Sequence, residues 1–206
     1  MEKTYKILKL LIWILAFAVV IVGAYVLYNR LSSEISAGGI ATVTRETGAP
    51  EATELPGETA SATEERGSEA PDLTVYDREG NPHKLSDFRG KPMLLNFWAS
   101  WCGPCQMEMP DFQKYFESHG DKVSFVIVNL TDGQQETVES ASAFIAEKGY
   151  TFPVYYDTDI DAAMKYGVSA VPVSYFIDAE GYFVAWAQGA LSSDMLQQGM
   201  DMLLGE

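Results

Sequence analysis

The chain has 206 residues, 47% hydrophobic and 12% aromatic, enough apolar content for a core and too much for wholesale disorder. Its net charge of −15 is the wrong sign for a phosphate backbone, so no nucleic acid partner is expected. Two cysteines, spaced two residues apart, exclude a small secreted fold stapled by several spread disulfides.

Residues 1–9 carry Lys3, Lys6 and Lys9 against a single Glu2. Residues 10–28, LLIWILAFAVVIVGAYVLY, contain no charge. As a helix they would measure about 28 Å, close to the hydrocarbon thickness of a bilayer. Trp13, Tyr25 and Tyr28 fall near the ends, where amphipathic rings favour the interface. A transmembrane signal-anchor is therefore predicted over 10–29. Lysines before it and only Arg30 after it place residues 1–9 in the cytoplasm and the rest outside the cell membrane. A cleaved signal peptide, with a weak site at Ile35-Ser36-Ala37, is the competing reading, but its apolar region is ordinarily shorter.

Residues 30–70 are rich in Glu, Thr, Ala, Gly and Ser and have no aromatic residue. Such a segment buries too little to offset its ordering entropy, and a flexible acidic linker reaching roughly 35 Å is expected.

Residues 71–206 change character and form the predicted globular domain. LTVYD (73–77), a turn over Arg78–Asn81 and HKL (83–85) predict a hairpin. MLLNFW (93–98) and VSFVIVNL (123–130) are apolar runs suited to buried strands, with a helix over 102–118 bent at Pro110 between them. A helix follows over 137–149, then a strand over 152–157 and a short helix over 161–167. VSYFID (173–178) and YFVAWA (182–187) predict a second hairpin, and residues 191–204 a closing helix capped by Ser192 or Ser193. Alternating strands and helices imply parallel crossovers, and the late hairpin adds an antiparallel edge.

The chemistry centres on Trp101-Cys102-Gly103-Pro104-Cys105, where a central strand passes into a helix. A cysteine at a helix N-terminus sits among unpaired N–H groups and the positive dipole end, which favours its thiolate. Cys102 is expected as the exposed nucleophile and Cys105, one turn inward, as the shielded resolving thiol. Pro104 suits the first helical turn and Gly103 lets a substrate backbone come close. A clip closing so short a ring would stabilise little, which disfavours an inert structural disulfide.

NFWASWCGPCQMEMP (96–110) resembles the active-site segment of the TlpA/ResA-like extracytoplasmic thiol-disulfide oxidoreductases. The likeness covers about residues 71–206. APDLTVYDREGNPHKLSDFRGKPMLLNFW (70–98) is similar to this branch and its AhpC/TSA-redoxin relatives, including an N-terminal hairpin. The resemblance implies an α/β thioredoxin-like fold: a central mixed sheet flanked by helices, with an N-terminal β-hairpin extension. GVSAVPVSYFID (167–178) resembles the family's cis-proline segment, which makes Pro172 that proline and Val171 its substrate-groove partner. Trp101 is implied to touch substrate. Thioredoxin has a buried Asp where this chain has Asn96, which cannot take a proton near neutrality. Glu108, on the helical face of Cys105, is expected to handle a proton or line the cavity. Gly103-Pro104 between the cysteines, and Val171 and Val173 beside Pro172, depart from many relatives. His83 and His119 lie far from the cysteines in sequence and are read as surface residues.

Two rival functions fit the motifs less well. A thiol peroxidase of peroxiredoxin type needs Pro-x-x-x-Thr-x-x-Cys, where this chain has Leu95 and Ala99. A copper-delivery module needs wider cysteine spacing and a later His, and no His follows His119. No cofactor and no metal are expected. The resemblance implies a protein-disulfide reductase, with disulfides in exported proteins as substrates, including apocytochrome c in cytochrome c biogenesis. Its electrons are implied to come from a membrane donor of the CcdA/DsbD type. The residues alone leave reductase against oxidase open.

Overall fold

A computed structural model of the chain describes residues 41–42 and 67–205. The predicted signal-anchor (10–29) and most of the predicted linker lie outside the described residues. No helix among the described residues is long and apolar enough to cross a membrane.

Eight strands form one mixed sheet: β1 (Ala41–Thr42), β2 (Thr74–Tyr76), β3 (Pro82–Lys84), β4 (Met93–Trp98), β5 (Ser124–Asn129), β6 (Val154–Tyr156), β7 (Val173–Ile177) and β8 (Phe183–Gln188). Among the described residues four helices accompany them: α1 (Gly103–His119), α2 (Val138–Lys148), α3 (Asp161–Lys165) and α4 (Ser193–Leu204). A 3₁₀ turn over Leu85–Phe88, which the sequence did not announce, follows the first hairpin. The strand order is β1-β8-β7-β4-β5-β6-β2-β3. β4, β5 and β6 run parallel, whereas β7 and β8 are antiparallel additions on one side and β2–β3 on the other. This is the thioredoxin-like α/β architecture with its N-terminal hairpin.

The central position of β4 explains its composition. Every residue of Met93–Trp98 is buried, and side chains alternate between faces with period two. Leu94 and Trp98 join Met109, Phe112, Phe125, Ile127, Phe176 and Leu196 in the core beneath α1, α2 and α4. Met93, Leu95 and Phe97 join Leu73, Val75, Leu85, Val126 and Ile177 on the opposite face, with Ala162 of α3. Asn96 is the polar exception on β4. It shares the face of Leu94 and Trp98 and therefore points under α1.

Two stretches of the predicted linker are described. Ala41 and Thr42 pair with Trp186 and Ala185 at the edge of β8. Ser68 and Ala70 hydrogen-bond to Phe183 and Gly181, and Glu69 bridges Tyr182. The backbone is thus engaged by the second hairpin a few residues before Pro71. The helix caps follow ordinary chemistry: Thr137 accepts from Ser140 N–H, and Ser192 accepts from Met195 N–H. Gly149 and Gly205 close α2 and α4 with left-handed backbone, φ 71° and 70°.

Candidate active site

β4 delivers the chain to the site through a tight turn. Cys102 N–H donates to Ala99 C=O at 3.2 Å, and Cys102 becomes the N-cap of α1 with Pro104 in the first turn. Cys102 and Cys105 are joined as a disulfide. Cys105 N–H donates to the Cys102 sulfur at 3.2 Å, so a free helix-terminal donor points at that atom. Cys105 is fully buried. Cys102 keeps only 4% exposure, which corrects the expectation of an open nucleophile. Its sulfur lies 3.6 Å from the Val171 carbonyl oxygen, under the loop that enters β7.

The Val171–Pro172 peptide bond is cis. Val171 is half-buried and Pro172 buried. Gly103 and Pro104 are exposed at the helix start, and Trp101 is 53% exposed. All the predicted groove residues thus gather around the disulfide, from the β4–α1 turn and the β7 entry.

Glu108 is one helical turn beyond Cys105 and 1% exposed, so the reading of a solvated helix Glu does not apply. Asn96 Nδ2 donates to its Oε1 at 2.9 Å, and Leu191 N–H to its Oε2 at 2.8 Å. Burial pushes its carboxyl up to about 7, against these two donors, which favour the charged form. Asn96 Nδ2 also donates to Ser174 Oγ at 2.9 Å. Register accounts for that contact, because Asn96 and Ser174 are direct partners across β4 and β7. Asn96 Oδ1 is buried without a partner.

A cleft of about 240 Å³ is lined in part by Trp101, the residue before Cys102. Its other lining residues are Leu130, Thr131 and Asp132 after β5, Asp157 and Ile160 after β6, Ala163 of α3, and Val168. The sequence reading missed this cleft, because its lining comes from four separate connections and from α3, which no local pattern links. It also missed Glu136, 1% exposed, whose carboxylate accepts from Ser100 N–H (3.1 Å), Ser100 Oγ (2.8 Å) and Asn129 Nδ2 (3.1 Å). A glutamate in a polar loop carries no periodic signal.

His83 packs edge-on to Tyr155 and near Asp77, and His119 stacks on Tyr115. Among the described residues no group of three or more His, Cys, Asp or Glu side chains is disposed to hold a metal ion.

Comparison with known proteins agrees with this geometry. The AhpC/TSA family model matches residues 66–185. Thiol-disulfide oxidoreductase ResA of Geobacillus thermodenitrificans is 32% identical over 138 residues, covering 66% of this chain and 77% of the relative. Thioredoxin-like protein YneN of Bacillus subtilis is 33% identical over 139 residues, covering 67% and 80%. A solved structure from Chlorobium tepidum, assigned as a thiol:disulfide interchange protein DsbE, superposes with a TM-score of 0.60 at 31% identity, covering 68% of this chain and 98% of that one. With a family match over more than half its length and relatives of this identity, the chain belongs to the AhpC/TSA family, as a TlpA/ResA-like thiol-disulfide oxidoreductase.

Proposed function

We propose that the chain is an extracytoplasmic reductase of disulfides in exported proteins, working through dithiol–disulfide exchange at Cys102 and Cys105. The observation that carries this reading is the Cys102 sulfur at the N-cap of α1, receiving the Cys105 N–H, with Cys105 fully buried behind it. A thiolate at Cys102 inherits that donor and the positive end of a 17-residue helix.

In the forward reaction the Cys102 thiolate attacks one sulfur of a client disulfide. That S–S bond breaks, a mixed disulfide forms and one client thiolate leaves. Cys105 then loses its proton and attacks the Cys102 sulfur, releasing the second client thiolate and forming the disulfide seen here. The client gains two electrons and the protein loses two. Glu108 is the group suited to take the Cys105 proton. It lies one turn away on the same helical face, and its carboxyl is held near the pH at which it can both accept and give a proton. Val171, Pro172, Gly103 and Trp101 form the groove for the client backbone.

The apolar run at 10–28, with lysines before it, supports a membrane anchor and an external catalytic domain. Recharging the dithiol outside the membrane then needs electrons carried across, and the family resemblance supports a CcdA/DsbD-type donor. The same resemblance supports apocytochrome c cysteines among the clients. The test is direct: the reduced chain is mixed with an oxidised Cys-x-x-Cys-His peptide, and thiols are counted on both partners. Peptide thiols should appear in step with closure of the Cys102–Cys105 disulfide. A peptide left oxidised sinks the reading.

A further inference from the structure

We propose that Glu136 is a positioning residue that keeps a client cleft in shape by tying the turn carrying Trp101 and Cys102 to the loop of Leu130–Asp132, which lines the cleft with Trp101. The inference rests on the reductase reading and adds a residue and a substrate preference to it.

Glu136 ends the loop between β5 and α2, whose beginning, Leu130 to Asp132, is one wall of the cleft. That loop is folded onto itself. Asp132 Oδ1 accepts from Gln134 N–H and Glu136 N–H at 2.8 and 2.9 Å, and Gly133 N–H donates to Glu136 C=O at 2.9 Å. Asp132 and Glu136 therefore move as one unit. From this unit the Glu136 carboxylate reaches Ser100, whose N–H and Oγ both donate to Oε2. Ser100 precedes Trp101, which also lines the cleft. Gln106 of α1 donates to Ser100 C=O at 2.6 Å, so every polar group of Ser100 is engaged.

The chemistry is unusual for a merely structural contact. Among the described residues no basic side chain pairs with Glu136. A buried carboxylate without a cation is costly unless hydrogen bonds satisfy it. Here three donors do so, and two belong to the turn that presents Trp101 and Cys102. An apolar residue would avoid the desolvation but would leave the Ser100 and Asn129 donors without their acceptor. The cleft so held has Trp101, Leu130, Ile160, Ala163 and Val168 along it, with Thr131, Asp132 and Asp157 as its polar members, and Trp101 is the chain neighbour of Cys102. It fits a client segment that places an apolar side chain next to its disulfide cysteine.

The experiment compares two oxidants on the reduced full-length chain: a peptide disulfide with Leu beside the cysteine, and 2-hydroxyethyl disulfide, which is too small to fill the cleft. The readout is the ratio of their kcat/KM values. Glu136→Ala is expected to lower that ratio about tenfold, through KM for the peptide. Ser100→Ala should lower it in the same direction, the double variant should lose no more than Glu136→Ala, and Glu136→Gln, which retains an acceptor oxygen, should fall between. Should Glu136→Ala fail to fold, Ser100→Ala and Glu136→Gln carry the comparison. An unchanged ratio, both oxidants slowing in parallel, or additive losses in the double variant would overturn the inference and leave the reductase reading standing. A wild-type chain that reduces neither oxidant overturns both.

Discussion

Asn96 donates a hydrogen bond to Glu108 at 2.9 Å in the middle of the core, joining the central strand to the helix that carries both cysteines. The amide does not titrate, so the protonation equilibrium at this contact belongs to Glu108, whose carboxyl is pushed up to about 7 by burial. Glu108→Gln keeps the size and removes the proton acceptor. Client reduction should lose the part of its pH dependence centred near neutrality and slow by about tenfold or more above it. Stopped-flow turnover across the neutral range checks this. An unchanged pH profile would return Glu108 to a packing role.

The same group makes a stability prediction. Folded, Glu108 keeps its proton up to about pH 7, whereas an ordinary glutamate loses it near pH 4.5. Between those values the folded chain binds more protons than the unfolded chain, so this contribution falls as pH rises through the window. Above the window the penalty is complete, on the order of 3 kcal/mol. Urea melts at about pH 5 and about pH 8 should therefore show a smaller difference for Glu108→Gln than for the wild-type chain. Equal differences would contradict the assignment of the shift to burial.

The cysteines should part company on substitution. Cys102→Ser should abolish client reduction, because the attacking sulfur is gone. Cys105→Ser should accumulate mixed disulfides between Cys102 and clients, because nothing resolves them. Non-reducing electrophoresis with mass spectrometry distinguishes the two. Trapping by Cys102→Ser instead would reverse the assigned roles.

Gly199 tests the packing of α4 on the sheet. A Cβ added there would lie 2.2 Å from two ring carbons of Phe176. Exchanging a mid-helix glycine for alanine ordinarily stabilises by about 0.5–1 kcal/mol. Here overpacking against a fully buried ring should win. Gly199→Ala is expected to destabilise by about 1–3 kcal/mol in a urea melt. A stabilised variant would show that the helix and ring are free to separate.

Ile160 makes the opposite prediction. It is a β-branched residue with φ 63°, in the left-handed region, and its side chain is 48% exposed at the cleft. Ile160→Gly should relieve the backbone and stabilise the chain by about 1 kcal/mol, while weakening peptide use through the lost apolar wall. Loss of stability would mean that packing of the side chain outweighs its strain.

The sequence disclosed those parts of this molecule whose signal is local. β4 was legible at residue precision because six consecutive residues, Met93–Trp98, are buried on both faces and leave an apolar run broken only by Asn96. α1 was legible from its N-terminal Pro and its cysteine spacing. The clustering of Cys102, Cys105, Val171 and Pro172 came from a family resemblance, since nothing in residues 167–178 points to the cysteines some 70 positions earlier. The Asn96–Ser174 contact depends on strand register, and the Glu108–Leu191 contact on where the β8–α4 loop passes. Neither is written in a window of sequence. Glu136 was invisible for the same reason: its partner Ser100 is 36 residues away, and a buried carboxylate looks like any other Glu in a loop. The low exposure of Cys102 was missed because helix-start geometry predicts where a sulfur sits and not what covers it.

The central claim is the direction of exchange, and the equilibrium reduction potential of the Cys102–Cys105 pair tests it most directly. Equilibrating the chain in graded glutathione or dithiothreitol buffers and counting free thiols gives the value. A reductase supplied with electrons across the membrane should sit near or below about −250 mV. A value of about −120 to −180 mV, the range of oxidases and isomerases, would contradict the account.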